Sequence, residues 1–166
     1  MKIRILTIKD KDSLMELIKT VEDSLENKEW WLPIKEEESK NYFNSDKILF
    51  FGGFIKNKLV GASALFVDHN DFDEILTHLN IDKEETLKLG RSMVHPEYRG
   101  KNRMMIINKS IIEYAKKYSK KHFIAIAHPD NIASNKALKK IGFKVVKAII
   151  KDEKYLRNIF LLNLND

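Results

Sequence analysis

Hydrophobic and polar residues alternate over residues 2–8 with the period of two that is typical of a β-strand. A helix is predicted next, because apolar residues then recur every three or four positions and Asp12 or Ser13 can cap its first turn. The apolar positions of this helix are Leu14, Leu17, Ile18, Val21 and Leu25. The chain is therefore predicted to begin with a strand and an amphipathic helix.

The middle of the chain predicts a hairpin and two helical insertions. Apolar segments over 47–55 and 59–67 flank a turn at Asn57, a residue that tolerates positive φ, and this arrangement is typical of a β-hairpin. Short helices are predicted over 35–43 and 71–80.

A strand–helix–strand crossover is predicted after the hairpin. A strand over 86–94 precedes a helix, and a uniformly apolar strand follows over 123–127, as expected for a strand covered on both faces. The apolar face of the helix consists of Met104, Ile107, Ile111, Ala115 and Tyr118. Such a crossover joins two parallel strands through a right-handed connection.

The closing part predicts one more helix and two strands. Asp130 or Asn131 caps the helix, Gly142 ends it, and the strands cover 143–150 and 155–164. The fold class is therefore α/β (α+β), with a mixed sheet that contains one parallel crossover between antiparallel hairpins.

Composition narrows the classes of site. The chain of 166 residues is long enough for one domain over 1–166, and it contains no cysteine, which excludes disulfides, thiolate metal sites and a cysteine nucleophile. The histidines show no metal-ligand spacing, so no metal is predicted. The net charge of +6 permits nucleic acid as a partner, but no basic stripe with interleaved aromatic residues is present.

Neither a signal peptide nor a spanning helix is predicted. The first residues suit a strand, and no apolar run approaches the roughly 18 residues that a transmembrane helix needs. We therefore expect a soluble cytoplasmic protein with no membrane partner. The oligomeric state stays open, a homodimer included.

The segment 94–110 places cationic side chains just before an apolar helix. Arg99, Lys101 and Arg103 surround Gly100. A helix N-terminus offers unpaired N–H groups to an anion, and glycine lets a loop wrap around a phosphate. Taken alone, the loop is better explained as a charged surface turn, because it matches neither a Walker loop nor a dinucleotide fingerprint.

Two motifs at matching separation resemble the GCN5-related N-acetyltransferase (GNAT) family. The first is VHPEYRG over 94–100, and the second is PDNIASNKALKKIGF over 129–143. The resemblance covers most of the chain and includes the glycine-bearing strand LVGASAL. It implies a GNAT-like acyl-CoA N-acyltransferase fold with helices on both faces of a mostly antiparallel sheet.

The resemblance also implies acetyl-CoA as the acyl donor and assigns residues to it. The loop that holds the pyrophosphate corresponds to Arg99, Gly100, Lys101, Asn102, Arg103 and Met104. Asn131 corresponds to the asparagine that contacts the pantetheine arm, although a plain helix cap is an equal alternative, and Ser134 lies one turn further on. Backbone N–H groups near Met93 and Val94 are expected to stabilise the oxyanion.

Four positions depart from the family pattern. Asn102 and Met104 stand where the family usually has small residues, and asparagine is the non-glycine residue most able to adopt left-handed geometry. Leu138 replaces a tyrosine that protonates the thiolate in many relatives, and Lys88 occupies a strand position where relatives often carry an acid.

The catalytic base and the acceptor site are less defined. Glu85 and His128 are the candidates for the base, with a structural histidine as the alternative for His128. Trp30 and Trp31 lie where the acceptor pocket of the family opens, and a role in the core is the alternative for both.

The predicted activity is transfer of an acetyl group to a primary amine of a small molecule or peptide, by direct attack in a ternary complex. The alternative is a non-catalytic coenzyme A-binding module or sensor, which the departures at Leu138 and Lys88 motivate. A basic nucleic-acid-binding domain is the third hypothesis, which the motifs do not favour.

Overall fold

The computed structural model describes residues 1–165, and seven strands within them form one sheet in the order β1-β2-β3-β4-β5-β7-β6. The strands are β1 (Lys2–Ile5), β2 (Ile48–Ile55), β3 (Lys58–Phe66), β4 (Thr86–Val94), β5 (His122–Ala127), β6 (Lys144–Lys151) and β7 (Tyr155–Asn163). The helices are α1 (Lys11–Asp23), α2 (Glu36–Ser39), α3 (Phe72–Leu79), α4 (Arg103–Ala115) and α5 (Ile132–Lys140). The predicted fold class is confirmed.

Strand pairing follows the predicted pattern. Strands β4 and β5 are parallel, from Thr86 opposite His122 to Leu89 opposite Ala125, and α4 provides the crossover between them. Every other pairing between strands of the sheet in residues 1–165 is antiparallel. Lys56 and Asn57 both have positive φ in the β2–β3 turn, as a tight hairpin requires.

The first helix begins earlier than predicted. A single 3-10 turn over Ile8–Asp10 follows β1. Asp10 occupies the N-cap position of α1 in place of Asp12 or Ser13, although its side chain makes no cap hydrogen bond to this helix. The Asp10 carboxylate accepts hydrogen bonds from the Thr7 backbone and from the Arg4 guanidinium, each at 2.8 Å. These bonds lower the pKa of Asp10 to about 2, with the Arg4 contact as the main cause.

Two hydrophobic cores lie on opposite faces of the sheet. One joins α1 and α3 to the sheet, and the other joins α4 and α5. Helix α4 approaches β2 and β3 closely because Gly53 and Gly61 leave room for Ile107; a Cβ at Gly61 would lie 2.9 Å from the Ile107 Cδ1. This close packing fixes the position of the α4 N-terminus. No helix within residues 1–165 is long and apolar enough to cross a membrane.

Candidate active site

A cleft opens where the two parallel strands separate. Pairing between β4 and β5 ends at Leu89 and Ala125, and the following residues of both strands line a cavity of about 430 Å³. Helices α4 and α5 border it on one side, and residues 29–33, here called the tryptophan segment, approach it on the other. The carboxyl ends of two parallel strands thus frame a site that a ligand can enter.

A β-bulge in β4 shapes the floor of the cleft. Arg91 and Ser92 together oppose Ser63 of β3, since the register shifts between the Ala62 and Ala64 pairs. Arg91 has a φ of 49°, a left-handed conformation that costs energy for a residue with a Cβ. Bulges of this kind redirect side chains next to active sites.

Buried polar contacts hold the bulge in place. The Asn108 side-chain oxygen accepts hydrogen bonds from the Ser63 hydroxyl at 2.6 Å and the Ser92 hydroxyl at 3.2 Å. Arg91 donates from Nε and Nη2 to both oxygens of Glu38, each at 2.9 Å, and it also donates to the backbone oxygens of Leu32 and Pro33. The bulge is thereby tied both to α4 and to the tryptophan segment.

The Glu38 carboxylate is shared between two donors. Besides Arg91 it accepts a hydrogen bond from the Tyr42 hydroxyl. Burial, followed by the nearby Glu38 charge, raises the pKa of Tyr42 far above its usual range. Because a buried ion pair is costly to break, this group fixes the position of the segment that it holds.

The loop before α4 has the conformation that anion binding requires. Gly100 has a φ of +83°, and Asn102 is left-handed at φ 55° and ψ 20°, as its residue type predicts. No side chain caps the first turn of α4, so its N–H groups are open at the positive end of the helix dipole. Gly100, Asn102, Arg103 and Met104 line the cleft. These residues fit a bound pyrophosphate.

Two of the three cations of this loop line the cleft, and the third does not. Arg99 lines the cleft and donates to the Val94 backbone oxygen at 3.3 Å and to the Ser24 hydroxyl at 2.8 Å, so neither contact neutralises its charge. Arg103 is held by the Tyr98 backbone oxygen. Lys101 is exposed and does not line the cleft. Arg99 and Arg103 are therefore the loop cations nearest to a ligand.

Helix α5 lines the cleft together with the loop before α4. The Asn131 side chain accepts a hydrogen bond from the Ser134 backbone N–H at 3.2 Å, and both residues line the cleft. Asn131 therefore caps the helix and faces the site at once, so the two interpretations of this residue are compatible. Met93 and Val94, at the end of β4, also line the cleft and are buried.

Neither candidate for the base is among the residues that line the cleft. Glu85 precedes β4 at the far end of the strand and pairs with Lys121. His128 is buried beyond the lining; its Nδ1 accepts a hydrogen bond from the Asp130 backbone N–H at 3.1 Å, and its Nε2 lies 3.8 Å from a Glu29 carboxylate oxygen. We do not retain either residue as the base, because neither lines the space that a substrate would occupy.

Lys88 is the titratable amine that the structure brings to the cleft. It is buried on β4 and lines the cleft, with its Nζ 4.9 Å from the centre of the Phe66 ring and 5.7 Å from that of Phe72. Burial lowers the pKa of Lys88 to about 8, although Asp71, which also lines the cleft, acts to raise it. A lysine with this pKa can exchange a proton near neutral pH.

Both tryptophans line the cleft and are half-buried. Their indole N–H groups are buried and meet no acceptor within the part of the chain that the structure describes. Arg157 on β7 also lines the cleft and donates to the Glu29 backbone oxygen, next to Trp30. The tryptophan segment is therefore held between Arg91 and Arg157.

Sequence reasoning missed the roles of Arg91, Asn108 and Arg157, and it noted Lys88 only as a departure. The sequence could have indicated Lys88, Arg91 and Arg157, because each is a cation within an otherwise apolar strand pattern. Charged residues are rarely buried without a reason. No comparable signal marks Asn108, whose polar partners come from two distant strands.

An open cleft between separating parallel strands, with an anion-binding loop at a helix N-terminus, defines an acyltransferase fold of the acyl-CoA type. The model of the Acetyltransferase (GNAT) family matches residues 13–143. The chain belongs to this family. Its members transfer acetyl groups, which makes the chain an acyltransferase by class.

Solved structures agree with this fold. An N-acetyltransferase from Staphylococcus aureus Mu50 is 16% identical, with a TM-score of 0.75 over 98% of both chains. The structure of yncA from Salmonella typhimurium with its cofactor acetyl-CoA is 16% identical, with a TM-score of 0.75 over 100% of this chain and 95% of that one. A ribosomal-protein-alanine N-acetyltransferase from Brucella melitensis is 18% identical, with a TM-score of 0.73 over 98% of this chain and 99% of that one. A comparison with curated proteins found no significant match.

Proposed function

We propose that this chain is an acetyl-CoA-dependent N-acetyltransferase that acetylates a primary amine of a small molecule or peptide within a ternary complex. The observation that carries the proposal is one continuous cleft with two different sides. The anion-binding loop and α5 border one side, and the tryptophan segment borders the other. A donor and an acceptor could therefore meet at the separation of β4 and β5.

The cofactor side is suited to coenzyme A. Arg99, Arg103 and the open N–H groups of α4 would bind the pyrophosphate, with Gly100 and Asn102 setting the loop shape. Asn131 and Ser134 would border the pantetheine arm. The yncA structure from Salmonella typhimurium has acetyl-CoA as its cofactor, which supports the same donor here.

Lys88 is the proposed proton acceptor. Acetyl-CoA supplies a thioester whose acetyl carbon forms the new C–N bond while the C–S bond breaks. The attacking amine must lose one proton, and the neutral Lys88 amine can take it because its pKa is near the working pH. Backbone N–H groups near Met93 and Val94 would stabilise the developing oxyanion.

The sensor alternative has one specific observation in its favour. The tyrosines of the chain all fall within residues 1–165, and none of them lines the cleft, while Leu138 lines it at the position of the missing acid. A chain that binds coenzyme A without a group to protonate the thiolate could serve as a sensor. Solvent protonation of the thiolate is the simpler solution, since a thiolate is a stable leaving group at neutral pH.

Two measurements test the proposal. Calorimetry with acetyl-CoA should show saturable binding, and its absence would refute both cofactor-dependent functions. A thiol-release screen over amino acids, polyamines, aminoglycosides and peptide N-termini should identify at least one amine that accelerates release. Binding without acceleration by any amine would favour the sensor.

A further inference from the structure

Cations dominate the charged residues that line the cleft. Among the described residues these are Asp71, Lys88, Arg91, Arg99, Arg103, Lys136, Lys140 and Arg157. Arg99 and Arg103, with Lys136 and Lys140 on α5, lie on the side proposed for the phosphates of the cofactor. Lys88, Arg91 and Arg157 remain on the other side, where Asp71 is the one lining carboxylate.

Arg157 is buried without an ionic partner. It is 1% exposed, and its guanidinium donates to two backbone oxygens, those of Leu156 at 2.7 Å and Glu29. Its guanidinium forms no ion pair within 4.0 Å in residues 1–165, although the Glu29 charge is near enough to act on it. Burial lowers the pKa of Arg157, and the Glu29 charge, which acts to raise it, offsets this effect only in part.

Two other buried cations of the described residues have carboxylate partners. Arg91 meets both oxygens of Glu38, using the Nε and Nη2 donors. Lys151, 2% exposed, lies 3.1 Å from Asp152 and 3.9 Å from Asp71. Lys88 and Arg157, on the same side of the cleft, form no ion pair within residues 1–165. Lys88 can lose its charge by deprotonation, but a guanidinium cannot. This difference indicates that the counter-charge of Arg157 is brought by a ligand.

We propose that the acetyl acceptor is an amine that also carries a carboxylate, and that Arg157 binds this carboxylate on the tryptophan-segment side of the cleft. The proposal rests on the proposed N-acetyltransferase function and names its substrate class. A free amino acid is the simplest such acceptor, because a cleft of about 430 Å³ must hold both the acetyl end of the cofactor and the acceptor.

The chemistry of the site matches a carboxylate. Guanidinium binds carboxylates through two parallel N–H···O bonds, as Arg91 does with Glu38 in the same cleft. Trp30 and Trp31 add two indole N–H groups, which donate and cannot accept. Indole donors without a partner among the cleft-lining residues favour an anion and disfavour a second amine.

The first test compares acceptors that differ only in the carboxylate. Thiol release is measured with free L-amino acids and with their primary amides. A hydrogen-bonded charge pair contributes roughly 1.5–3 kcal/mol, so kcat/KM should be about 10- to 100-fold higher for the acids. The amines of the amides are less basic and more often neutral, which by itself would make the amides react faster. A preference for the acids therefore cannot come from the basicity of the amine.

The variant Arg157→Met separates recognition from a structural role. It should remove the preference for the acids over the amides, while any loss that comes from loosening the tryptophan segment should affect both acceptors equally. An equal loss with both acceptors would mean that Arg157 only supports the tryptophan segment, and the proposal would be overturned. Short peptides are tested as further acceptors. If peptides are acetylated in preference to free amino acids and Arg157→Met loses this activity, the carboxylate site is supported and its ligand is a peptide carboxylate.

A binding measurement keeps the two proposals distinguishable. The two tryptophans of the chain both line the cleft, so intrinsic fluorescence reports its occupation. Protein saturated with coenzyme A is titrated with N-acetyl amino acids and with their amides. Saturable change with the acids alone, lost in Arg157→Met, supports the carboxylate site even if no amine is turned over and the catalytic proposal fails. Turnover of amides as fast as acids refutes the carboxylate site while the N-acetyltransferase function stands.

Discussion

Replacing Lys88 by methionine should remove activity and increase stability at neutral pH. Lys88 is buried, and its pKa falls from 10.5 to about 8. This difference corresponds to a penalty of about 3 kcal/mol for the charged form in the folded state. The penalty is fully present below pH 8 and disappears as the pH rises to 10.5, because the unfolded chain binds more protons between these values.

Chemical denaturation of both proteins over this pH range measures the penalty. We expect Lys88→Met to be more stable than the wild type by up to about 3 kcal/mol at pH 7, and the difference should vanish near pH 10.5. Lys88→Arg is the matched control: it keeps a cation that cannot be deprotonated near neutral pH. It should lose activity as Lys88→Met does, without the gain in stability.

The pH profile of acetyl transfer tests whether Lys88 accepts the proton of the attacking amine. With a pKa of about 8, about half of Lys88 is neutral at pH 8 and about 1% at pH 6. The rate of acetyl transfer to the best acceptor from the thiol-release screen should therefore decrease as the pH falls from 8 to 6. The residual rate of Lys88→Met should not show this decrease. A variant that keeps the wild-type rate and profile would show that Lys88 is not the proton acceptor, and equal stability at pH 7 would refute the proposed burial penalty.

Three further results are expected. Arg99→Ala should weaken acetyl-CoA binding about 10- to 100-fold in calorimetry, while Lys101→Ala, outside the cleft, should change it little; equal losses would contradict the assigned geometry. Arg91→Met should cost about 3–5 kcal/mol in denaturant unfolding because it leaves Glu38 buried and unpaired, and adding Glu38→Met should recover much of the loss; no recovery would argue against the pair. Asp10→Asn should destabilise the fold by about 1–2 kcal/mol at neutral pH, and the difference should shrink as the pH falls from 3.8 towards 2; a constant difference would mean that the charge is irrelevant.

Local patterns predicted the elements that depend on nearby residues. The hairpin at Asn57, the crossover through α4 and the left-handed Asn102 follow from turn chemistry and hydrophobic spacing, and all three are observed. The predicted start of the first helix was wrong, because Asp10 takes the N-cap position while its carboxylate pairs with Arg4 on the preceding strand.

The cleft could be predicted mainly on its cofactor side, and on the other side only Trp30 and Trp31 were predicted. The cofactor side lies in two continuous segments with recognisable motifs. The other side depends on contacts between residues far apart in sequence, such as Arg91 with Glu38 and Arg157 with Glu29. Burial and pairing of these charges arise from tertiary packing, which a local pattern does not contain.

The attachment of the tryptophan segment has a consequence for how this enzyme can evolve. Arg91 and Arg157 hold the segment through the backbone oxygens of Leu32, Pro33 and Glu29, which every amino acid possesses. Side chains within the segment can therefore be exchanged without detaching it from the sheet. Trp31 packs against the core and Arg91, whereas Trp30 is not part of that core packing. New acceptor preferences could therefore arise by single substitutions at Trp30 while the catalytic frame is retained.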